Sequence, residues 1–136
     1  MRVLIDSSTL YSAIAFPRKE NKMVKSLMEK HTIVVTDYIE EELKRNFEKT
    51  FSKDRKKDIL FELDMFISEC ELKKVEEYEK YLEKAKKKIS KKDSPILACS
   101  MLKDIDYLIT SDNEFHEIKC DEVEILTPKK ARDILI

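Results

Sequence analysis

The 136-residue chain contains no glycine and no tryptophan, and only three prolines and three cysteines. Average usage would put about nine or ten glycines in a chain of this length. Motifs that need backbone without a Cβ are therefore excluded: there is no P-loop, no dinucleotide fingerprint and no glycine hinge. No apolar run approaches the ~20 residues of a membrane span, and in the opening Met1-Arg2-Val3-Leu4-Ile5-Asp6 a charge arrives before any signal-peptide core could form. Cys70, Cys99 and Cys120 are far apart, odd in number and without a CxxC pair, which fits reduced thiols rather than a disulfide framework. His31 and His116 lack ligand spacing, so zinc is not expected. These absences together predict a soluble, cytoplasmic protein with no membrane contact.

An excess of charge is missing as well. Lys and Arg number 27 against 28 Asp and Glu, a net charge of −1 in a chain that is 40% charged. That balance excludes a globally basic nucleic-acid binder. With 42% hydrophobic residues, the charge coats a folded domain rather than marking disorder.

What is present is an alternation. Short apolar runs fall at Val3–Ile5, Ile33–Val35, Tyr107–Ile109 and Val123–Leu126, with a weaker one at Cys70–Val75. The first three have almost no polar interruption, as expected of parallel strands covered on both faces. Between them, apolar residues recur at spacings of three and four: Met23, Val24, Leu27, Met28; then Leu43, Phe47, Phe51; then Ile59, Leu60, Leu63, Phe66, Ile67; then Tyr78, Tyr81, Leu82, Ala85, Ile89; then Ile96, Leu97, Cys99 and Met101, with Ser100 among them. A last helix is predicted from Pro128, capped by Thr127. Strands alternating with helices imply right-handed crossovers. The predicted fold is a single α/β domain over residues 1–136, a three-layer α/β/α sandwich with a central, mostly parallel sheet of four to five strands.

Ligands of open parallel sheets bind outside the carboxyl ends of the strands, and those exits carry acids. Asp6 follows the first run, Asp112 the Tyr107–Ser111 run, and Asp37, Glu40, Glu41 and Glu42 the second; Asp93 opens the helix from Ser94. On a helical wheel at 100° per residue with Ile39 at zero, Leu43 lies near ~+40° and Phe47 near ~+80°, defining the buried face. Glu42, near ~−60°, sits at its edge, and Glu41, near ~200°, faces solvent. Asp37 and Glu40 are spaced as a cap and its third-residue partner. Each acid also has a plain structural role open to it: Asp93 before Ser94-Pro95 reads as an N-cap, and Asp6 and Asp112 each precede a helix they could cap. Four carboxylates at one sheet end repel one another and raise their own pKa values unless a cation joins them. With oxygen donors and no His or Cys, that cation is Mg²⁺ or Mn²⁺, ions that align a water with a phosphodiester.

The same segments resemble the PIN domain family, in particular the small VapC-type toxin ribonucleases. Val3-Leu4-Ile5-Asp6-Ser7-Ser8-Thr9-Leu10 looks like the family's opening strand with its first aspartate. Thr36-Asp37-Tyr38-Ile39-Glu40-Glu41-Glu42-Leu43 is similar to its second motif, in which a Ser or Thr precedes by six residues a glutamate followed by leucine. Asp93-Ser94-Pro95-Ile96-Leu97-Ala98 and Tyr107-Leu108-Ile109-Thr110-Ser111-Asp112-Asn113-Glu114-Phe115 resemble the third and fourth. The resemblance implies a metal-dependent endoribonuclease in which Asp6, Glu42, Asp93 and Asp112 hold one or two Mg²⁺ or Mn²⁺ ions, and Ser8 and Thr110 support them or contact phosphate. It also implies a homodimer and an antitoxin protein as partner. The loop Lys103–Asp106 lacks the glycine the family often has there, so a Lys or Asp is predicted to take left-handed geometry in its place.

Residues 84–92 hold six lysines and no acid, directly before Asp93. Lys87, Lys88, Lys91 and Lys92 are candidate contacts to an RNA backbone, with Lys53, Arg55, Lys56 and Lys57 a second patch; the other reading is a solvated face offsetting Glu76, Glu77, Glu79 and Glu83. Phe47, Phe51, Tyr78 and Tyr81 lie on helical stripes and read as core or dimer interface rather than base-stacking platforms. Two other functions compete with the nuclease: a PIN-like module that binds RNA or protein without cutting, which has no need of four acids, and a phosphatase with Asp6 as nucleophile, which usually wants a second acid where this chain has Ser8.

Overall fold

A computed structural model describes all 136 residues. In chain order it contains β1 (Arg2–Ile5), α1 (Ser7–Ala15), α2 (Lys19–Lys30), β2 (Thr32–Thr36), α3 (Asp37–Thr50), α4 (Lys53–Ser68), β3 (Glu71–Lys73), α5 (Val75–Tyr78), a 3₁₀ turn (Glu79–Tyr81), α6 (Leu82–Lys86), α7 (Ser94–Ser100), β4 (Tyr107–Ile109), α8 (Asn113–His116), β5 (Glu124–Leu126) and α9 (Pro128–Leu135). The strands form one sheet in the order β3-β2-β1-β4-β5, parallel throughout, with Leu4 opposite both Val34 and Leu108. Side chains of Val3, Leu4, Ile5, Val34, Val35, Leu108 and Ile109 are completely buried. Residues pointing to both faces of these strands are thus covered, which is what their unbroken apolar runs require. Helices α1 to α4 pack on one another, as do α5 to α7, giving the two outer layers.

Strand order reverses between β1 and β4: the chain leaves β1 toward β2 and leaves β4 toward β5, on opposite sides. Such a switch point opens a crevice at the carboxyl ends of the two strands. The β1–β4 ladder runs one step past the end of β1, with the Asp6 N–H donating to the Ile109 carbonyl at 3.1 Å. Asp6 and Thr110 are thereby delivered to the mouth of that crevice.

Three local expectations are corrected. The stripe Tyr78–Ile89 is not one helix but α5, a 3₁₀ turn and α6, ending at Lys86. Lysines at 84 and 88, 87 and 91, and 88 and 92 would fall one turn apart with like charge if the helix continued. At its other end the Tyr78 hydroxyl is anchored on Asp37 at 2.6 Å. The cap of α3 is Thr36, whose Oγ1 accepts from the Ile39 N–H at 2.9 Å. Asp37 instead accepts from the Val75 N–H at 2.8 Å and from Tyr78, tying α5 to the start of α3. Finally, no residue has positive φ. Residues Lys103–Asp106 leave α7 through tight turns, with the Ile105 N–H on the Leu102 carbonyl (3.1 Å) and the Asp106 N–H on the Arg2 carbonyl (2.9 Å), so no left-handed residue is needed. The cap of α9 is as expected: Thr127 Oγ1 accepts from the Lys130 N–H at 3.1 Å.

Phe47 and Tyr78 belong to the core, and Phe51 and Tyr81 pack partly buried against it. All three cysteines are free. No helix is long and apolar enough to cross a membrane.

Candidate active site

A cleft of about 490 Å³ opens over the switch point, and Asp6, Glu42, Asp93 and Asp112 all line it. Four separate elements deliver them: the end of β1, the second turn of α3, the residue before α7 and the residue before α8. Asp37, Glu40 and Glu41 do not line it. Of the acids that followed the second apolar run, only the one at the edge of the buried face reaches the cleft.

Asp6 is the fixed point. It is 4% exposed, and both of its oxygens are engaged. Oδ1 accepts from the Thr9 N–H at 3.0 Å, capping α1, and the Ser8 hydroxyl lies 3.3 Å from each oxygen. Oδ2 accepts from the Thr110 hydroxyl. Thr110, completely buried, also accepts from the Asp112 N–H at 3.0 Å. One hydroxyl therefore links the Asp6 carboxylate to the backbone of Asp112. The His116 ring adds a further tie, with Nε2 2.7 Å from the Thr110 carbonyl.

Asp112 caps α8 through Oδ1, which accepts from the Glu114 N–H at 3.0 Å. Asp93 makes no cap bond, despite the Ser-Pro that follows it. Its Oδ2 accepts instead from the Ser90 hydroxyl at 3.1 Å. Burial pushes its pKa up, and the negative charges of Asp112 and Glu114 add to that; the Ser90 bond and Lys92 act the other way.

The segment that carries Asp93 is strapped down on both sides. Tyr38, one turn before Glu42 on α3, donates its hydroxyl to the Lys92 carbonyl at 2.9 Å. The Ser90 N–H donates to Glu114 Oε1 at 2.6 Å. Burial, then Glu42 and Asp93, raise the pKa of Tyr38 and keep it a donor. Of the four candidate lysines, Lys92 alone lines the cleft. Lys88 donates to the Lys119 carbonyl at 2.6 Å, and Lys87 and Lys91 are exposed outside the lining. Sequence reasoning missed Tyr38, Ser90 and Glu114. Tyr38 carries a readable signal in its spacing of four from Glu42, and Glu114 in its place two residues after Asp112.

The lining offers carboxylate oxygens and no His or Cys, a donor set suited to a hard divalent cation such as Mg²⁺ or Mn²⁺. The carboxylates share the cleft, but no three of them close around one point. A second depression, a groove of about 630 Å³ between α1, α2 and α4, is lined by apolar residues including Ile14, Met28, Met65 and Phe66 and by charged ones including Arg55, Asp58 and Glu62.

Residues 3–119 match the family model described as PIN domain. None of the curated proteins matches the sequence. Among solved structures, the chain is similar to VapBC2 from Rickettsia felis bound to a DNA fragment from their promoter, at 21% identity and a TM-score of 0.67, covering 93% of this chain and 98% of that one. It is also similar to FitAcB from Neisseria gonorrhoeae, at 18% identity and a TM-score of 0.62, with the same coverage.

Proposed function

Since the match over residues 3–119 means that the chain belongs to the PIN domain family, we propose that it is a Mg²⁺- or Mn²⁺-dependent endoribonuclease, the toxin of a toxin–antitoxin pair. The observation that carries this reading is the delivery of Asp6, Glu42, Asp93 and Asp112 from four elements into one cleft at the switch point.

In this reading Asp6, Glu42, Asp93 and Asp112 are the residues that would hold the ion. When bound, a divalent cation supplies a water of lowered pKa and offsets charge on the phosphate. Asp6 is the rigid end of the set, because Thr9, Ser8 and Thr110 fix both its oxygens. Asp93 is held from outside its own helix, on a segment strapped by Tyr38 and Glu114. Lys92 faces the same cleft and offers a cation to a phosphate of the strand.

An antitoxin protein is the partner in this proposal, on the ground that both similar structures are of two-component assemblies. The groove beside α4, where Met65 is 52% exposed next to Arg55, Asp58 and Glu62, offers such a partner both apolar and charged contacts. A homodimer and a cytoplasmic location belong to the same proposal, and light scattering reads the former.

The test incubates purified protein with mixed single-stranded RNA in Mn²⁺ or in EDTA, beside Asp6→Asn. Cleavage in Mn²⁺ that stops in EDTA and falls more than about 100-fold in Asp6→Asn is expected, since even residues that only support metal ligands are worth 10–100-fold. RNA left equally intact by wild type and variant at every metal concentration overturns the reading and favours a module that binds without cutting.

A further inference from the structure

The cleft does not end at the acids. It continues as an arm between α1 and α3, lined by Tyr11 and Ser12 on one side and Asn46 and Thr50 on the other. The two walls are built alike. Glu42, Asn46 and Thr50 are spaced by four on α3, so each lies ~6 Å further along the helix than the last, with a drift of only ~40° around it. Ser8 and Ser12 bear the same relation on α1. Each helix thus starts its stripe beside the carboxylates, at Glu42 or at the Ser8 hydroxyl that bonds Asp6, and continues it with neutral hydrogen-bonding groups.

Tyr11 is held for presentation rather than left loose. Its ring stacks on the buried Phe47 with centroids 4.9 Å apart and planes at 27°, and meets Phe16 edge-on at 6.4 Å. Ser8 is committed to Asp6, whereas Tyr11, Ser12, Asn46 and Thr50 have no side-chain hydrogen bond within the chain, and Asn46 and Thr50 are exposed. An arm made for phosphates would carry Lys or Arg; this one carries an amide, two aliphatic hydroxyls and a phenol. Such groups suit base edges and the ribose 2′-hydroxyl, which is donor and acceptor at once.

We propose that this arm is the subsite for a nucleotide adjoining the cleaved phosphodiester, with Asn46 and Thr50 reading its base edge and 2′-hydroxyl across from Ser12 and Tyr11. The proposal rests on the nuclease reading above and adds to it the place where the strand is recognised. It makes Asn46 and Thr50 determinants of which RNA is cut, separate from the groups that hold the metal.

The experiment compares wild type with Asn46→Leu/Thr50→Val, replacements of similar size at exposed positions. It measures KM and kcat on a short single-stranded RNA in Mn²⁺, the pattern of cleaved positions in a mixed RNA, the ratio of RNA to DNA cleavage, and Mn²⁺ affinity by calorimetry without RNA. KM is expected to rise about tenfold for two lost hydrogen bonds, with a changed cleavage pattern, a lower RNA-to-DNA ratio and unchanged Mn²⁺ affinity. Wild-type cleavage together with a variant of unaltered KM and pattern overturns the subsite and leaves the nuclease standing. A variant that loses Mn²⁺ affinity overturns it too, by placing these residues in the metal site's support. A wild type that cuts no RNA overturns the nuclease reading and the subsite with it. Thermal melts of both proteins, expected to coincide, exclude loss of fold, and Thr50→Val alone supplies a milder second variant, with a KM increase of about threefold.

Discussion

Thr110→Val removes one oxygen from the centre of the site and keeps the side chain's shape. The hydroxyl is completely buried, donates to Asp6 and accepts from the Asp112 N–H. A hydrogen bond to a charged group contributes about 1.5–3 kcal/mol, and a neutral one about 0.5–1.5 kcal/mol. Asp6 keeps its bonds from Thr9 and Ser8, and Asp112 is exposed so its N–H can turn to water, which trims the second contribution. The expected loss is about 2–4 kcal/mol. At ~2.1 cal/mol/K of unfolding entropy per residue, a domain of this size loses roughly 3.5 °C of Tm per kcal/mol, so the fall is about 7–14 °C. Thr110→Ser is the control: it keeps the hydroxyl and deletes one buried methyl, worth about 1 kcal/mol and about 3–4 °C. If packing alone mattered, valine would be harmless and serine the worse of the two; if the bridge matters, the order reverses. Melting curves followed by circular dichroism at pH 7 in EDTA decide it. A Thr110→Val protein melting within about 2 °C of wild type, or no lower than Thr110→Ser, refutes the assignment.

Two further outcomes are expected. Tyr38→Phe removes the bond to the Lys92 carbonyl and leaves the ring; Mn²⁺ affinity measured by calorimetry should fall about 3–10-fold, and an unchanged affinity would mean that Asp93 does not depend on that strap. Asp93→Asn tests the raised pKa of Asp93. An acid whose folded pKa lies above its unfolded value of 3.8 is bound more tightly to its proton in the folded state, so folding loses stability as pH rises from that value through the folded one. In EDTA the Asn variant should therefore melt above wild type at pH 7 and show no such gain at pH 3; the same difference at both pH values would show that charge is not the cause.

The parts of this molecule that were legible in the sequence are those decided by local pattern. Unbroken triplets such as Val3–Ile5 and Tyr107–Ile109 announce buried parallel strands, and the acids one to three residues past them fall at the sheet's open end because a parallel sheet aligns all its strand exits. Glu42 could be separated from Glu40 and Glu41 because a helix fixes which of three neighbours leans over the core edge. Strand β3 was faint because of its three residues only Lys73 is buried. Asp37 was misread because Thr36 and Asp37 are both good caps and only backbone geometry chooses between them; the choice of Thr36 frees Asp37 to bind Tyr78, 41 residues away. The straps on Asp93 join residues 54 and 24 apart and have no local signature. The geometry of the lysine run was unreadable for a related reason. Past Lys86 the chain leaves its helix, so neighbouring lysines point in different directions and one of four reaches the cleft.

The absence of glycine and the crowding of acids prove to be linked. Every residue keeps φ negative, so the chain cannot form the alternating right- and left-handed turns by which backbone N–H groups cradle a phosphate. The starts of α1 and α8 are already capped by Asp6 and Asp112, so an anion at the switch point is met by side chains or by a cation that side chains hold. Lys92 supplies one positive charge to the lining against four carboxylates, so the direct route fails by charge count alone. Held without an ion, those carboxylates work against the fold: Asp93 is pushed toward its neutral form by burial and by two negative neighbours, and Thr110 and Ser8 must spend their hydroxyls on Asp6. The straps from Tyr38 and Glu114 keep Asp93 in the cleft against that repulsion. Such an arrangement lowers stability when empty and recovers it when a divalent cation binds, so Mn²⁺ should raise the Tm of wild type and lose that effect in Asp93→Asn, whether or not RNA is present.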